Sequence, residues 1–210
     1  MATHSFPIIS MLVSFPIFPD SYIVLGKILE KSQSKWLEKH SNTYFSYIAA
    51  QGPGEETSAL FWEMIWQQNV RIVVMLTNLI EGLGFHSTKC SQYWPELVGN
   101  TRRFGGSSPD SQIEVQLYDC QEAPDYLVRK LDISKGDSTR TLVHVQCTSW
   151  PDRSAPKNAS TLLQLVEVVR MLASQYNQQS GHQMVEAAPW LIHCSAGVGR
   201  TGNVYNFVTF

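Results

Sequence analysis

The sequence predicts an α/β (α+β) domain in which a central mixed sheet is flanked by helices. Three observations predict it. Short β-branched apolar runs interleave with amphipathic helical stretches. The spacing between runs allows both hairpins and crossovers. Finally, an apolar run leads straight into a glycine-rich turn that opens a further helix. Composition agrees: of 210 residues, 43% are hydrophobic and 16% charged, the balance of a globular chain rather than a disordered one.

Residues 1–43 read as a divergent N-terminal segment. The apolar stretch at 6–18 is interrupted by Pro7 and Pro16, has no basic residues ahead of it and no A-x-A site after it. It is therefore expected to be neither a signal peptide nor a membrane span. Residues 57–69 place Leu60, Phe61, Met64 and Ile65 at helical spacing, with Thr57 or Ser58 available as N-cap. Residues 70–76 (VRIVVML) suit a central buried strand. Three more strands are expected at 113–118, where IEVQLY alternates, at 126–133 and at 141–148. Gln51 to Gly54 and Gly105-Gly106 mark loops.

A second helix is expected over 158–176, with Leu162, Leu165, Val166, Val169 and Leu172 on one stripe. Asn158 or Ser160 can cap it, so the sequon Asn158-Ala159-Ser160 reads as capping chemistry rather than as a glycosylation site. Residues 177–188 are polar and read as a surface loop, and 189–193 (PWLIH) as one more short buried strand.

The formal net charge is −2 and the basic residues are dispersed, with short pairs such as Arg102-Arg103 and Arg129-Lys130. Nothing there suits a nucleic-acid partner. Four cysteines, at 90, 120, 147 and 194, form no C-x-x-C pair and no zinc pattern. No metal and no cofactor is expected. A reducing compartment follows, with three cysteines as buried small hydrophobes and one with neighbours that suggest chemistry.

That one is Cys194, in His193-Cys194-Ser195-Ala196-Gly197-Val198-Gly199-Arg200-Thr201-Gly202. In a C-x5-R-T stretch, small residues let the loop curl until successive backbone N–H groups face inward and form an anion nest. A helix starting near Gly199 adds its positive end to the same spot. Arg200 can fork two N–H groups onto a bound phosphate. These surroundings favour a thiolate, which is a nucleophile aimed at phosphorus. A chain of this composition holds about 0.025 chance matches to C-x5-R-[ST], so a structural cysteine beside an ordinary turn is the weaker reading.

Phosphoryl transfer also needs an acid for the leaving oxygen. Trp150-Pro151-Asp152 offers one: a stiff aromatic–proline loop that can swing as a unit, with the Asp152 carboxylate at its tip.

Together with Tyr47-Ile48-Ala49-Ala50-Gln51-Gly52-Pro53, FWEMIWQQNVRIVVMLTN at 61–78, Lys89-Cys90-Ser91-Gln92-Tyr93-Trp94-Pro95 and DYLVR at 125–129, these elements resemble the protein tyrosine phosphatase family, phosphotyrosine-specific branch. The resemblance runs from about residue 44 to 202. It implies that 44–210 is a tyrosine phosphatase catalytic domain and that the chain dephosphorylates phosphotyrosine-containing proteins in signalling. By position it implies Cys194 as nucleophile, Arg200 as phosphate clamp, and the backbone of Ser195, Ala196, Gly197, Val198, Gly199 and Arg200 as phosphate-binding loop. Asp152 on the WPD loop would be the acid and then the base, Thr201 would assist departure of the thiolate, and His193 would tune it. Glu81 and Lys89 match the family's E-loop, where the glutamate braces the arginine; their bland reading is solvated surface charge. Oxidation of Cys194 to a sulfenic acid would be an off-switch. The implied location is cytoplasmic, in a soluble protein or in the cytoplasmic portion of a receptor-type membrane protein.

Three departures bear on this. No KNRY-type recognition loop lies upstream of residue 44, WPDRSAP carries Ser154 where the family favours glycine, and the chain reaches Phe210 shortly after the loop. A domain without its C-terminal helices is the expectation, and a fragment that binds phosphotyrosine without turning it over is the alternative.

Overall fold

The computed structural model describes residues 24–31, 44–82, 87–151, 159–179 and 188–209. Ten strands and three α-helices follow one another among them. They run β1 (Val24–Lys31), β2 (Tyr44–Gln51), α1 (Ser58–Gln67), β3 (Ile72–Met75), β4 (Ile80–Glu81), β5 (Ser87–Thr88) and β6 (Thr101–Gly105). Then come β7 (Gln112–Glu122), β8 (Tyr126–Lys135), β9 (Ser138–Cys147), α2 (Ala159–Gln179), β10 (Trp190–Cys194) and α3 (Gly199–Thr209). Eight strands form one sheet in the order β1-β2-β10-β3-β9-β8-β7-β6, and β4 pairs β5 separately. The predicted α/β architecture is therefore the observed one.

The middle of that sheet is parallel: β2, β10, β3 and β9 all run the same way. Its flanks are antiparallel, β1 on β2 at one edge and the β9-β8-β7-β6 meander at the other. Parallel strands need both faces covered. β3 shows it, with all four residues buried. Val73 and Met75 join the cluster under α1, while Ile72 and Val74 join the cluster with Leu162, Leu165, Val166 and Val169 of α2 and Val204 of α3. All four parallel strands end on the same side, and that edge is where ligands of open α/β sheets bind.

Local chemistry sets the ends of α1. Thr57 stands at the N-cap position, but its hydroxyl does not cap the helix; it accepts from Gly54 N–H at 2.9 Å instead. At the other end Asn69 takes φ 53°, Asn69 N–H donates to Trp66 O at 3.2 Å and Val70 N–H to Ile65 O at 3.0 Å. That pairing closes the helix with a left-handed residue and turns the chain into β3. On α1 the buried stripe is Phe61, Trp62, Met64 and Ile65, with Leu60 only half-buried.

The strands expected at 113–118, 126–133 and 141–148 are longer meander strands, and the expected α2 stripe is buried except for half-exposed Leu172. Ser160 lies in the first turn of α2, while Asn158 falls outside the described residues. The loop expected at 177–188 is shortened by α2, which continues to Gln179; residues 180–187 are also outside. Three strands that periodicity did not predict, β1, β2 and β6, complete the sheet. One cysteine expectation is corrected: Cys90, Cys147 and Cys194 are buried, but Cys120 is exposed, on the β7 stretch where Asp119 to Glu122 run out toward solvent. Among the described residues no helix is long and apolar enough to cross a membrane.

Candidate active site

Four strand ends deliver the candidate residues. β10 ends at Cys194 and runs through a four-residue turn into α3, which starts at Gly199 as the loop reading predicts. β2 delivers Gly52, β3 delivers Leu76 and Thr77, and β9 delivers Trp150 and Pro151.

The turn folds back on its cysteine. Gly197 N–H points at Cys194 Sγ at 3.2 Å, the geometry of a nest around that sulfur. Gly197 takes φ +74°, and a Cβ there would sit 2.5 Å from Ala50 O and 2.8 Å from Gln51 N. Both the conformation and the close backbone approach therefore require glycine at 197. Gly52 N–H donates to Ser195 O at 2.9 Å, and a Cβ at Gly52 would meet Cys194 O at 2.6 Å. Gly199 has open space around it, so room is not what puts a glycine there. Ala196, Val198 and Gly199 are exposed at the mouth, whereas Cys194, Gly197, Arg200 and Thr201 are buried.

Arg200 is held rigidly. Its Nη1 donates to Leu76 O and to Glu81 Oε1, both at 2.8 Å, and its Nη2 donates to Glu81 Oε2 at 2.7 Å. Only 9% and 8% of the two side chains is exposed, so Glu81 is not a solvated surface charge. Glu81 also accepts Asn78 N–H at 2.9 Å and the Thr77 hydroxyl at 3.1 Å. Burial alone would raise its carboxyl; the Arg200, Asn78 and Thr77 hydrogen bonds and the charge of Arg200 outweigh burial and hold it below the usual carboxylate range. Lys89 is half-buried and its N–H donates to Leu79 O at 2.8 Å, which ties β5 back to the strand end that carries Glu81. Thr201 Oγ1 is buried with no hydrogen-bond partner among the described residues.

Behind the cysteine, His193, expected to tune it, ends a chain of side chains whose other members, Tyr93, His144 and Arg129, sequence reasoning gave no role. His193 Nδ1 is 3.0 Å from Cys194 O. A carbonyl only accepts, so Nδ1 carries the proton. Full burial pushes the His193 pKa down to about 4, against a favourable backbone contact, so the ring is neutral and Nε2 is an acceptor. Tyr93 O–H therefore donates to it, at 2.7 Å. The Tyr93 oxygen is then free to accept from His144 Nε2–H at 2.8 Å, and His144 Nδ1 accepts from Arg129 Nη1 at 3.3 Å. His144 is likewise neutral, lowered well below its ordinary value by burial and then by the Arg129 charge. Each proton in this chain has one consistent direction, from cationic Arg129 toward the Cys194 carbonyl. Arg129 Nη1 also donates to Gln146 Oε1 at 2.9 Å, and Gln146 Nε2 to Thr77 O at 3.2 Å, beside Glu81. The signal was present: Leu142, His144 and Gln146 alternate on one strand face, as do Arg129, Leu131 and Ile133, so polar residues occupy positions whose period puts them inside.

Trp150 is buried against the cluster that contains Cys194, and Asn78 Nδ2 donates to Thr148 O at 3.2 Å beside it. Asp152 lies outside the described residues.

Among the described residues no group of three or more His, Cys, Asp or Glu is placed to hold a metal ion. The donors on this turn, the Gly197 N–H aimed at the sulfur and the Arg200 guanidinium, suit an oxyanion.

The family model described as protein-tyrosine phosphatase matches residues 21–209. Receptor-type tyrosine-protein phosphatase C of Homo sapiens is 39% identical over 159 residues, covering 74% of this chain and 11% of the relative. Tyrosine-protein phosphatase non-receptor type 7 of Mus musculus is 34% identical over 189 residues, covering 88% of this chain and 46% of the relative. Tyrosine-protein phosphatase 69D of Drosophila melanogaster is 37% identical over 165 residues, covering 75% and 10%. The chain thus spans from about a tenth to just under half the length of these curated relatives.

Proposed function

Because the chain belongs to the protein-tyrosine phosphatase family, we propose that it hydrolyses phosphotyrosine in proteins through a cysteinyl-phosphate intermediate. One observation carries the reading: the turn after β10 points Gly197 N–H at Cys194 Sγ while Arg200, at the other end of the same turn, is braced by Glu81. A sulfur, an N–H aimed at it and a guanidinium fixed by a carboxylate thus lie on one short turn, the groups that attack on a phosphoryl centre requires.

The Cys194 thiolate attacks phosphorus, the P–O bond to the tyrosine ring breaks, and the ring oxygen takes a proton from Asp152. Three phosphoryl oxygens acquire charge as this happens, and loop N–H groups with Arg200 stabilise them without reorganising. Water, deprotonated by Asp152, then attacks the phosphocysteine, so the S–P bond breaks and inorganic phosphate leaves. The buried Thr201 hydroxyl, without another partner among the described residues, is available to donate to the departing sulfur. His193 acts as a positioning residue through the Cys194 carbonyl. Lys89 steadies the β5 strand beside Glu81, and Trp150 and Pro151 anchor the base of the Asp152 loop. The substrate is a phosphotyrosine protein in the cytoplasm, met by a soluble enzyme or by the inner portion of a receptor-type one.

Hydrolysis of a phosphotyrosine peptide by the 210-residue chain, with Cys194→Ser as control, tests this. Turnover that disappears in the variant is the expected result. Absence of turnover from a folded chain overturns the hydrolase reading and leaves phosphotyrosine binding.

A further inference from the structure

Arg129 is more than nine-tenths buried, and both hydrogens of its Nη1 are committed, one to His144 and one to Gln146. Its Nε–H and Nη2 hydrogens donate to no acceptor among the described residues. The guanidinium lies 4.5 Å from the centre of the Trp94 ring and lines a cavity of about 350 Å³. Trp94 and Leu117 supply apolar wall, Gln92 and Gln146 supply amides, and Leu97 and Val98 stand at the mouth, 63% and 56% exposed. None of the residues lining it belongs to the Cys194–Arg200 turn.

A few polar donors set in an apolar wall are the ordinary composition of a small-molecule site, and this volume lies at the small end of such sites. Guanidinium N–H groups that donate to no protein acceptor and belong to a residue lining a cavity are available to an anion bound in it. We propose that the cavity is a second anion-binding site, for a small organic carboxylate whose carboxyl group takes the uncommitted Arg129 N–H groups and whose apolar body lies against Trp94 and Leu117.

Carboxylate is favoured over phosphate on charge. One guanidinium matches one monoanion in bidentate geometry. Exposed Glu96 lines the same cavity, and its negative charge opposes a dianion more than a monoanion. A ligand bound there shares Arg129 with the head of the chain that runs through His144 and Tyr93 to His193. The site itself stands whether or not the chain hydrolyses phosphotyrosine.

The experiment titrates benzoate, and separately uncharged benzamide, into the ¹⁵N-labelled 210-residue chain and follows the Trp94 indole N–H resonance. A saturable shift with benzoate and none with benzamide is expected. Val98→Asp changes an exposed residue at the mouth, leaves the core intact and is expected to weaken benzoate by about tenfold. Equal responses to the two probes, no saturable response to benzoate, or a benzoate affinity unchanged in the Val98→Asp chain would each overturn the proposal.

Discussion

Arg200 and Glu81 lie 119 residues apart in sequence and meet end-on, Nη1 to Oε1 at 2.8 Å and Nη2 to Oε2 at 2.7 Å, almost wholly buried. The pair joins the helix that follows the sulfur to the strand end that follows β3, so it fixes both the direction of the guanidinium and the closure of the site.

Removing one side of a buried pair leaves the other charge unanswered. Glu81→Ala is expected to destabilise the chain by about 3 kcal/mol and to raise KM for a phosphotyrosine peptide. Urea unfolding and steady-state kinetics measure the two effects. Unchanged stability would mean that Arg200 finds an equivalent partner.

Gly197→Ala places a methyl group 2.5 Å from Ala50 O in a residue held at φ +74°. The turn must shift away from β2 or unwind. Loss of about 2 kcal/mol or more is expected, with activity reduced far more than in Gly199→Ala, whose methyl meets open space. Equal activity in the two variants would contradict the geometry.

Tyr93→Phe deletes the hydroxyl that accepts from His144 and donates to His193. Two buried ring nitrogens lose their partner at once, at an expected cost of about 2 kcal/mol. The pH profile of kcat/KM should shift as His193 becomes free to change tautomer and loosen the Cys194 carbonyl. A stability loss without any shift of the profile would make Tyr93 a packing residue alone.

Acid should unfold this protein early. In the unfolded chain His193 takes up a proton near pH 6.5, but folded it does so only near 4. Between those values the unfolded state binds more protons, so stability falls as pH falls, by about 1.4 kcal/mol per pH unit for each such histidine. His144 shifts in the same direction. Below about 4.5, protonation of Glu81, whose folded value is lowered, removes further stability. Urea midpoints from pH 7 down to 5 should drop steadily, and a flat series would contradict burial of neutral histidines.

Much of the fold was legible because its signals are local. Alternation at Ile113, Val115 and Leu117 reports a strand with one buried face, and the VRIVVML run reports one buried on both. β6 was not legible: only Phe104 of its five residues is buried, and it belongs to the sheet by pairing with β7 at the edge. The exposed state of Cys120 was missed for a related reason. β7 outruns the core, and cysteine chemistry alone does not say where a strand leaves it.

The sequence by itself determined the sulfur, the turn around it and the helix that follows, because ten consecutive residues encode them through backbone freedom and local hydrogen bonding. A match of motifs also pointed to Glu81 as a brace. Only the tertiary structure decided that Tyr93 stands between His144 and His193, 51 and 100 residues away, and that Arg129 heads the chain behind them. Those contacts depend on which strands lie side by side and in what register, here Arg129 opposite His144 and His144 opposite Val73. Periodicity says that a polar residue points inward; strand order and register across the sheet decide which partner it meets there.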